Sequence, residues 1–110
     1  MTEGSINVLN ARVHEALERV SGSPKLSVIP PYATDDEVAL GALKEYLTGI
    51  AGQTTITGGP NSWTAVVFDS VSDGCGLLEK SLATAISLAI TRHRSRQEKR
   101  IQKMQHEGTR

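Results

Sequence analysis

Ser62-Trp63-Thr64-Ala65-Val66-Val67-Phe68-Asp69 is the stretch on which the fold turns. Its β-branched and aromatic residues favour extended backbone. Alternation along a strand puts Trp63, Ala65 and Val67 on one face and Thr64, Val66 and Phe68 on the other. Both faces are apolar in part, the pattern of a central strand. Turn chemistry flanks it on each side, Gly58-Gly59-Pro60-Asn61 before and Ser72-Asp73-Gly74 after. Outside these turns lie a Thr- and Ile-rich segment at 53–57 and a short strand candidate at 76–80. Two turns at such short spacing predict an antiparallel meander of three strands.

Helical periodicity brackets the meander. Ile6, Leu9, Val13, Ala16, Leu17 and Val20 recur as one apolar face, which predicts a helix from about Ser5, with Ser5 or Thr2 as its cap. Ser21-Gly22-Ser23-Pro24 ends it. In 25–33 the β-prone Leu26, Val28 and Ile29 run into Pro30-Pro31, giving a short strand at most, or an ordered extended linker. Thr34-Asp35-Asp36-Glu37 reads as a capping box, with Thr34 as the cap. The stripe Ala39, Ala42, Leu43, Tyr46, Leu47 and Ile50 follows, and Gly49 and Gly52 supply exits. A last helix begins near Ser81 with Leu82, Ala85, Ile86, Ala89 and Ile90. Its pattern continues to about residue 105, but the apolar positions thin to Ile101 and Met104, so the second half projects, pairs with another subunit or frays. The order α-α-β-β-β-α predicts an α+β fold: a small antiparallel sheet of about three strands packed with two N-terminal helices and a long C-terminal helix. The expected organisation is a single domain over 1–92 and a basic helical extension over 93–110. So small a sheet is marginal alone, which points to a homo-oligomer.

At 110 residues the chain can build one core. Its 38% hydrophobic and 22% charged residues argue against wholesale disorder. No apolar run approaches the roughly 20 residues that span a bilayer, so no membrane is expected as a partner. No basic segment followed by an apolar one opens the sequence, so no secretory signal is read. A lone cysteine, Cys75, makes no internal disulfide and no multi-cysteine zinc site. These features point to the cytoplasm. The formal net charge of zero hides a split. Residues 92–110 hold seven basic groups against two acids, a surplus of +5, and the rest of the chain carries −5. Such asymmetry points to an anionic partner for the tail or to contact between tail and body. Lys and Arg complementing the dipole at a helix end explain the same surplus without a partner.

Candidate chemistry is sparse. His14, His93 and His106 show no pair at the spacing of a helical metal site and read as ordinary surface or packing histidines. Cys75 lacks a local base or cation that would activate it. Asp35, Asp36 and Glu37 diverge from a helix start, and capping explains them. Gly58-Gly59 lacks the Lys-Ser/Thr of a phosphate loop. The expectation is therefore no enzyme, no metal and no cofactor. Binding residues are easier to nominate. Trp63 beside its Gly-rich loop can stack on a base, or anchor a core or dimer interface. Arg92 and Arg96 lie four apart on one helix face, and their planar forks suit phosphate, while Arg94 points elsewhere. The ligand-binding candidates are Arg92, Arg96, Trp63 and Asn61, the last from the 58–61 loop.

Three segments taken together resemble a known family. Pro31-Tyr32-Ala33-Thr34-Asp35 opens a helix, Trp63-Thr64-Ala65-Val66-Val67-Phe68 forms a strand, and Ser81-Leu82-Ala83-Thr84-Ala85-Ile86-Ser87-Leu88-Ala89-Ile90 forms the final helix. This arrangement resembles the phage ABA-sandwich family of small phage proteins, over about residues 8–92. Members tend to show a Pro-Tyr-Ser-Thr-Asp-like helix start, a Trp-initiated strand and an Ala/Leu/Ile-rich last helix. Here Ala33 stands where Ser is common, Gly41 interrupts the second helix, and the basic extension after Arg92 lies outside the pattern. The resemblance implies a non-catalytic phage or prophage accessory protein in the host bacterial cytoplasm. By analogy with small phage proteins that capture the cyclic nucleotide signals of Thoeris and CBASS immunity, it implies an anti-defence protein that binds and sequesters such a signal. The alternative is a protein-interaction module acting through oligomerisation and the basic C-terminal helix. Nucleic-acid binding by the tail is disfavoured by the neutral whole-chain charge and the lack of a recognition motif.

Overall fold

Helix α1 (Glu3–Ser21) buries Leu9, Val13, Ala16 and Leu17, the face that the apolar rhythm picks out. A computed structural model describes the backbone of residues 3–108 and the side chains of residues 4–103, so Thr2 as a cap lies outside the described residues. Past Gly22, in the left-handed region at φ 73°, the chain runs without forming a strand. It is nonetheless an ordered linker. Tyr32 and Ala33 are buried, and the Ala33 amide donates to Asn10 Oδ1 at 2.7 Å.

Helix α2 (Asp36–Ile50) starts one residue later than the capping box predicts. The Pro31 carbonyl accepts from both the Thr34 and Asp35 amides, which folds Thr34 into a turn. Asp35 becomes the cap, and its Oδ1 accepts from the Glu37 and Val38 amides at 3.0 and 3.2 Å. The helix leaves through Ala51, at φ 52°, rather than through Gly49 or Gly52. Gly49 stays helical and lets α1 approach, since a Cβ there would lie 2.5 Å from the Val20 carbonyl oxygen.

Strands β1 (Gln53–Gly59), β2 (Ser62–Phe68) and β3 (Asp73–Glu79) form one antiparallel sheet in the order β1-β2-β3, with β2 central. Thr55 faces Val66, and Val66 faces Cys75. The β2–β3 register shifts between Trp63 and Ala65, and Leu78 nearby sits at φ 53°. β3 begins three residues before the expected strand, and the turn falls earlier than Ser72-Asp73-Gly74. Asp69 makes that turn: its Oδ1 accepts from the Val71 and Ser72 amides at 2.8 and 2.7 Å, and its own amide donates to the Ser72 carbonyl. Gly74 and Gly76 belong to β3 because α3 lies against them. A Cβ on Gly74 would fall 2.2 Å from the His93 nitrogen, and one on Gly76 2.2 Å from the Ala85 oxygen.

Helix α3 (Leu82–Gly108) is the middle layer. It packs on β3 and β2 on one side and on α1 and α2 on the other. A helix covered on two sides needs apolar or small residues around most of its circumference. Ala83, Ala85, Ile86, Ala89 and Ile90 meet that demand and are buried. The fold is thus α+β in the order α-α-β-β-β-α. The helix runs unbroken through residues 92 and 93, as its sequence pattern predicts, and His93 is fully buried. Among the described residues no helix is long and apolar enough to cross a membrane.

Candidate functional site

Arg92, Arg96 and Arg100 stand one above another on α3, one turn apart. Arg92 donates to the Cys75 carbonyl, Arg96 to the Asp73 carboxylate, and Arg100 to the Val71 carbonyl at 2.8 Å. Each helical turn advances about 5.4 Å and each pair of strand residues about 6.6 Å, so the two antiparallel spacings stay nearly in step. The result is a ladder that fastens α3 along β3. It brings the predicted Arg92 and Arg96 together, against the protein itself.

The other two predicted residues lie elsewhere. Trp63 faces Gly58 across one strand pair and Glu79 across the other, whereas Asp73, the partner of Arg96, faces Phe68. Five residue steps along β2 separate those ends, about 17 Å of strand. Trp63 is half-buried against the core and Asn61 is exposed in the β1–β2 turn. Arg96 and the 58–61 loop with Trp63 therefore lie at opposite ends of β2.

A groove does open between α1 and α3, with a volume of about 960 Å³. Leu9 and Leu88 give it an apolar part, and Arg12, Arg92 and Arg94 line it as well, Arg92 with its guanidinium turned to the Cys75 carbonyl of β3. Glu15 and Glu98 also line it. Arg94 is half-buried and donates to Glu98 at 3.2 Å and to Gln97 at 2.9 Å. Arg12 is exposed, and no ion pair holds it among the described residues. Sequence reasoning missed Arg12 and Arg94. Arg12 sits beside the apolar stripe of α1, three residues after Leu9 and four before Ala16, a position that borders whatever that stripe packs against.

A second polar constellation is internal. His93, fully buried, has Nδ1 2.7 Å from the Tyr46 hydroxyl and Nε2 3.1 Å from Asp69 Oδ2. The ionised carboxylate accepts from Nε2, which leaves Nδ1 as the ring position facing the Tyr46 hydroxyl. Burial pushes the Tyr46 phenol well above its ordinary range, and Arg94 opposes this only in part. At Asp69 burial also works upward, but the Val71 and Ser72 amides and His93 outweigh it and hold the carboxyl below its usual value. Tyr46, His93 and Asp69 thus form one hydrogen-bonded chain. Their arrangement ties α2, α3 and the β2–β3 turn together.

His14 is also buried, although the stripe placed it off the main apolar face. The linker covers it, and its Nδ1 lies 2.8 Å from the Tyr32 hydroxyl. Cys75 is half-buried on β3. Among the described residues no cluster of three or more His, Cys, Asp or Glu is placed to hold a metal. His106 lies outside the described side chains. No family model, no curated protein and no solved structure matches the chain.

Proposed function

We propose that the protein is a non-catalytic binder of a small phosphorylated nucleotide, held in the α1–α3 groove, and that it serves as a phage or prophage accessory protein which sequesters a cyclic nucleotide immune signal. One observation carries the reading: arginines from two helices, Arg12 on α1 and Arg94 on α3, line one groove with apolar walls, and Arg92 borders it while its guanidinium reaches the Cys75 carbonyl. Its volume of about 960 Å³ falls near the top of the usual range for small-molecule sites. Arginine forks suit phosphate oxygens, and Leu9 and Leu88 suit a base or sugar face. Glu15 and Glu98 can accept from base or ribose donors, which favours a nucleotide over a bare polyanion. Sequestration needs affinity alone, so the groove requires no reacting group.

Isothermal titration with cyclic dinucleotides, cyclic trinucleotides and cyclic ADP-ribose isomers tests this. Micromolar or tighter binding to one of them is expected, weakened at least about tenfold in Arg12→Glu, because one charge-assisted bond is worth about 1.5–3 kcal/mol. No binding to any member of the panel overturns it. A separate observation favours the second reading, an interaction module built on the basic helix: no α3 residue from Arg94 through Lys103 is buried. Light scattering of Lys99→Glu/Lys103→Glu at low salt tests that reading, which predicts a changed assembly state and fails if the mass is unaltered.

A further inference from the structure

The two edges of the sheet are treated differently. At the start of β3 the arginine ladder occupies the Cys75 carbonyl and the Asp73 carboxylate, and beside it the Val71 carbonyl in the preceding turn. A strand approaching that end of the edge meets guanidinium groups, and charge is one of the devices that keep edges from pairing. Along β1 nothing comparable exists. Its sequence, Gln53-Thr54-Thr55-Ile56-Thr57-Gly58-Gly59, contains no charge and no proline. Its register against β2 runs through seven consecutive pairs with no bulge. The main packing of α3 falls on β3 and β2 and leaves β1 outside it. β1 is therefore an uncharged edge with an unbroken register and no proline or bulge to block it.

We infer that β1 is an assembly edge, and that it pairs antiparallel with β1 of a second copy to give one continuous six-stranded sheet. The strand's own sequence selects that occupant. In a two-fold pairing centred on Ile56, Ile56 faces its counterpart and Thr55 faces the partner's Thr57, so like meets like without like charges meeting. Opposed β-branched and Thr–Thr pairs are favourable cross-strand neighbours. Ile56 already packs half-buried against the core, and the pairing extends that apolar layer across the two-fold axis. A charged strand from another protein finds no complementary charge on β1. Pairing also removes the free edge of a sheet that is marginal at three strands. No β1 residue lines the α1–α3 groove, so this inference stands or falls separately from the nucleotide reading.

The test is the mass of the full chain in solution by sedimentation and light scattering, across a micromolar concentration series. Wild type is expected at twice the 11.8 kDa chain mass. Thr55 and Thr57 are exposed on the sheet, so Thr55→Lys/Thr57→Lys leaves the monomer folded by circular dichroism while setting lysines against lysines across the pairing. It is expected to weaken association by about tenfold or more. Mixing it with Thr55→Glu/Thr57→Glu restores a 1:1 heterodimer. A monomeric wild type at every concentration overturns the inference. So does a dimer that the lysine variant leaves unchanged, or a lysine–glutamate mixture that stays monomeric.

Discussion

Each of the chain's two tyrosines meets a histidine, and the two pairs sit in different surroundings. Tyr46 and His93 meet edge-on, with centroids 5.5 Å apart and planes at 85°; Tyr32 and His14 lie more nearly parallel, at 6.0 Å and 21°. The hydroxyl-to-Nδ1 distances are almost the same, 2.7 and 2.8 Å. What differs is the far nitrogen of each ring. His93 Nε2 faces Asp69, a carboxylate fixed by two backbone amides, and the chain of contacts links residues 24 and 47 positions apart. His14 Nε2 faces the Pro24 carbonyl at 2.9 Å, with Glu18 at 3.5 Å, and joins α1 only to the linker ten residues on. Equal hydrogen-bond lengths therefore hide unequal consequences: one histidine locks three elements around a charge, and the other tethers a loop.

The sharpest way to break the comparison is His93→Ala against His14→Ala. Removing His93 strands the Tyr46 hydroxyl and Asp69 in the interior, and losing one member of a buried network costs about 3–5 kcal/mol. Removing His14 leaves the Pro24 carbonyl and the Tyr32 phenol beside a surface groove that His14 itself lines, where water can replace the ring, and is expected to cost about 1–2 kcal/mol. Urea unfolding of the two variants checks this. Equal losses would show that the Asp69 end adds nothing. A smaller cut, Tyr46→Phe against Tyr32→Phe, should keep the same order, at about 1–2 and about 0.5–1 kcal/mol.

The pH dependence sharpens it further. Asp69 titrates below its ordinary value in the fold, so its contribution is fully present above the unfolded carboxylate value near about 4 and is lost as pH falls through the folded value. Asp69→Asn should lose about 1.5–3 kcal/mol at neutral pH, the range for a hydrogen bond to a charged group, and flatten the acid limb of the stability curve. Tyr46 shifts the opposite way. Its raised phenol value means that stability is full below the unfolded value near about 10 and is lost as pH rises beyond it. Tyr32 is raised as well, mainly by burial and then by Glu45 and Glu18. Thermal melts across the alkaline range should show Tyr46→Phe removing more of that loss than Tyr32→Phe.

The order of elements and the central place of β2 were legible because they rest on local periodicity, alternation from Trp63 to Phe68 and the apolar stripes of the helices. The start of β3 was not. Gly74 looks like a turn residue until α3 is seen lying on it, and that is a contact with Ala89 and His93. The Thr34 cap failed for a nearer reason, since the Pro31 carbonyl claims two amides just ahead of it. In the site, the shared face of Arg92 and Arg96 was readable from their spacing, but not that β3 meets that face. His93 did leave a trace. It continues the series Ala85, Ala89 at intervals of four, so the small-residue stripe of α3 already pointed it at the sheet. Nothing local announced Asp69, whose partner lies 24 residues away.

The gentlest probe separates charge from contact. Glu18 approaches His14 one helical turn away, as Asp69 approaches His93, yet its side chain is 23% exposed where that of Asp69 is 10% exposed. No backbone amide is seen to fix the Glu18 carboxylate, so holding it against the ring sacrifices side-chain freedom that the exposed setting barely repays. Glu18→Gln preserves shape and removes the charge, and its effect on urea unfolding is expected to stay within about 0.5 kcal/mol. Asp69→Asn makes the same chemical change where two amides and a buried imidazole depend on the carboxylate, and loses several times more. If the two variants are equally mild, the charge at Asp69 is incidental and the His93 array is held by packing alone. If they are equally severe, the linker is tied as firmly as the core, and the contrast between the two histidines disappears.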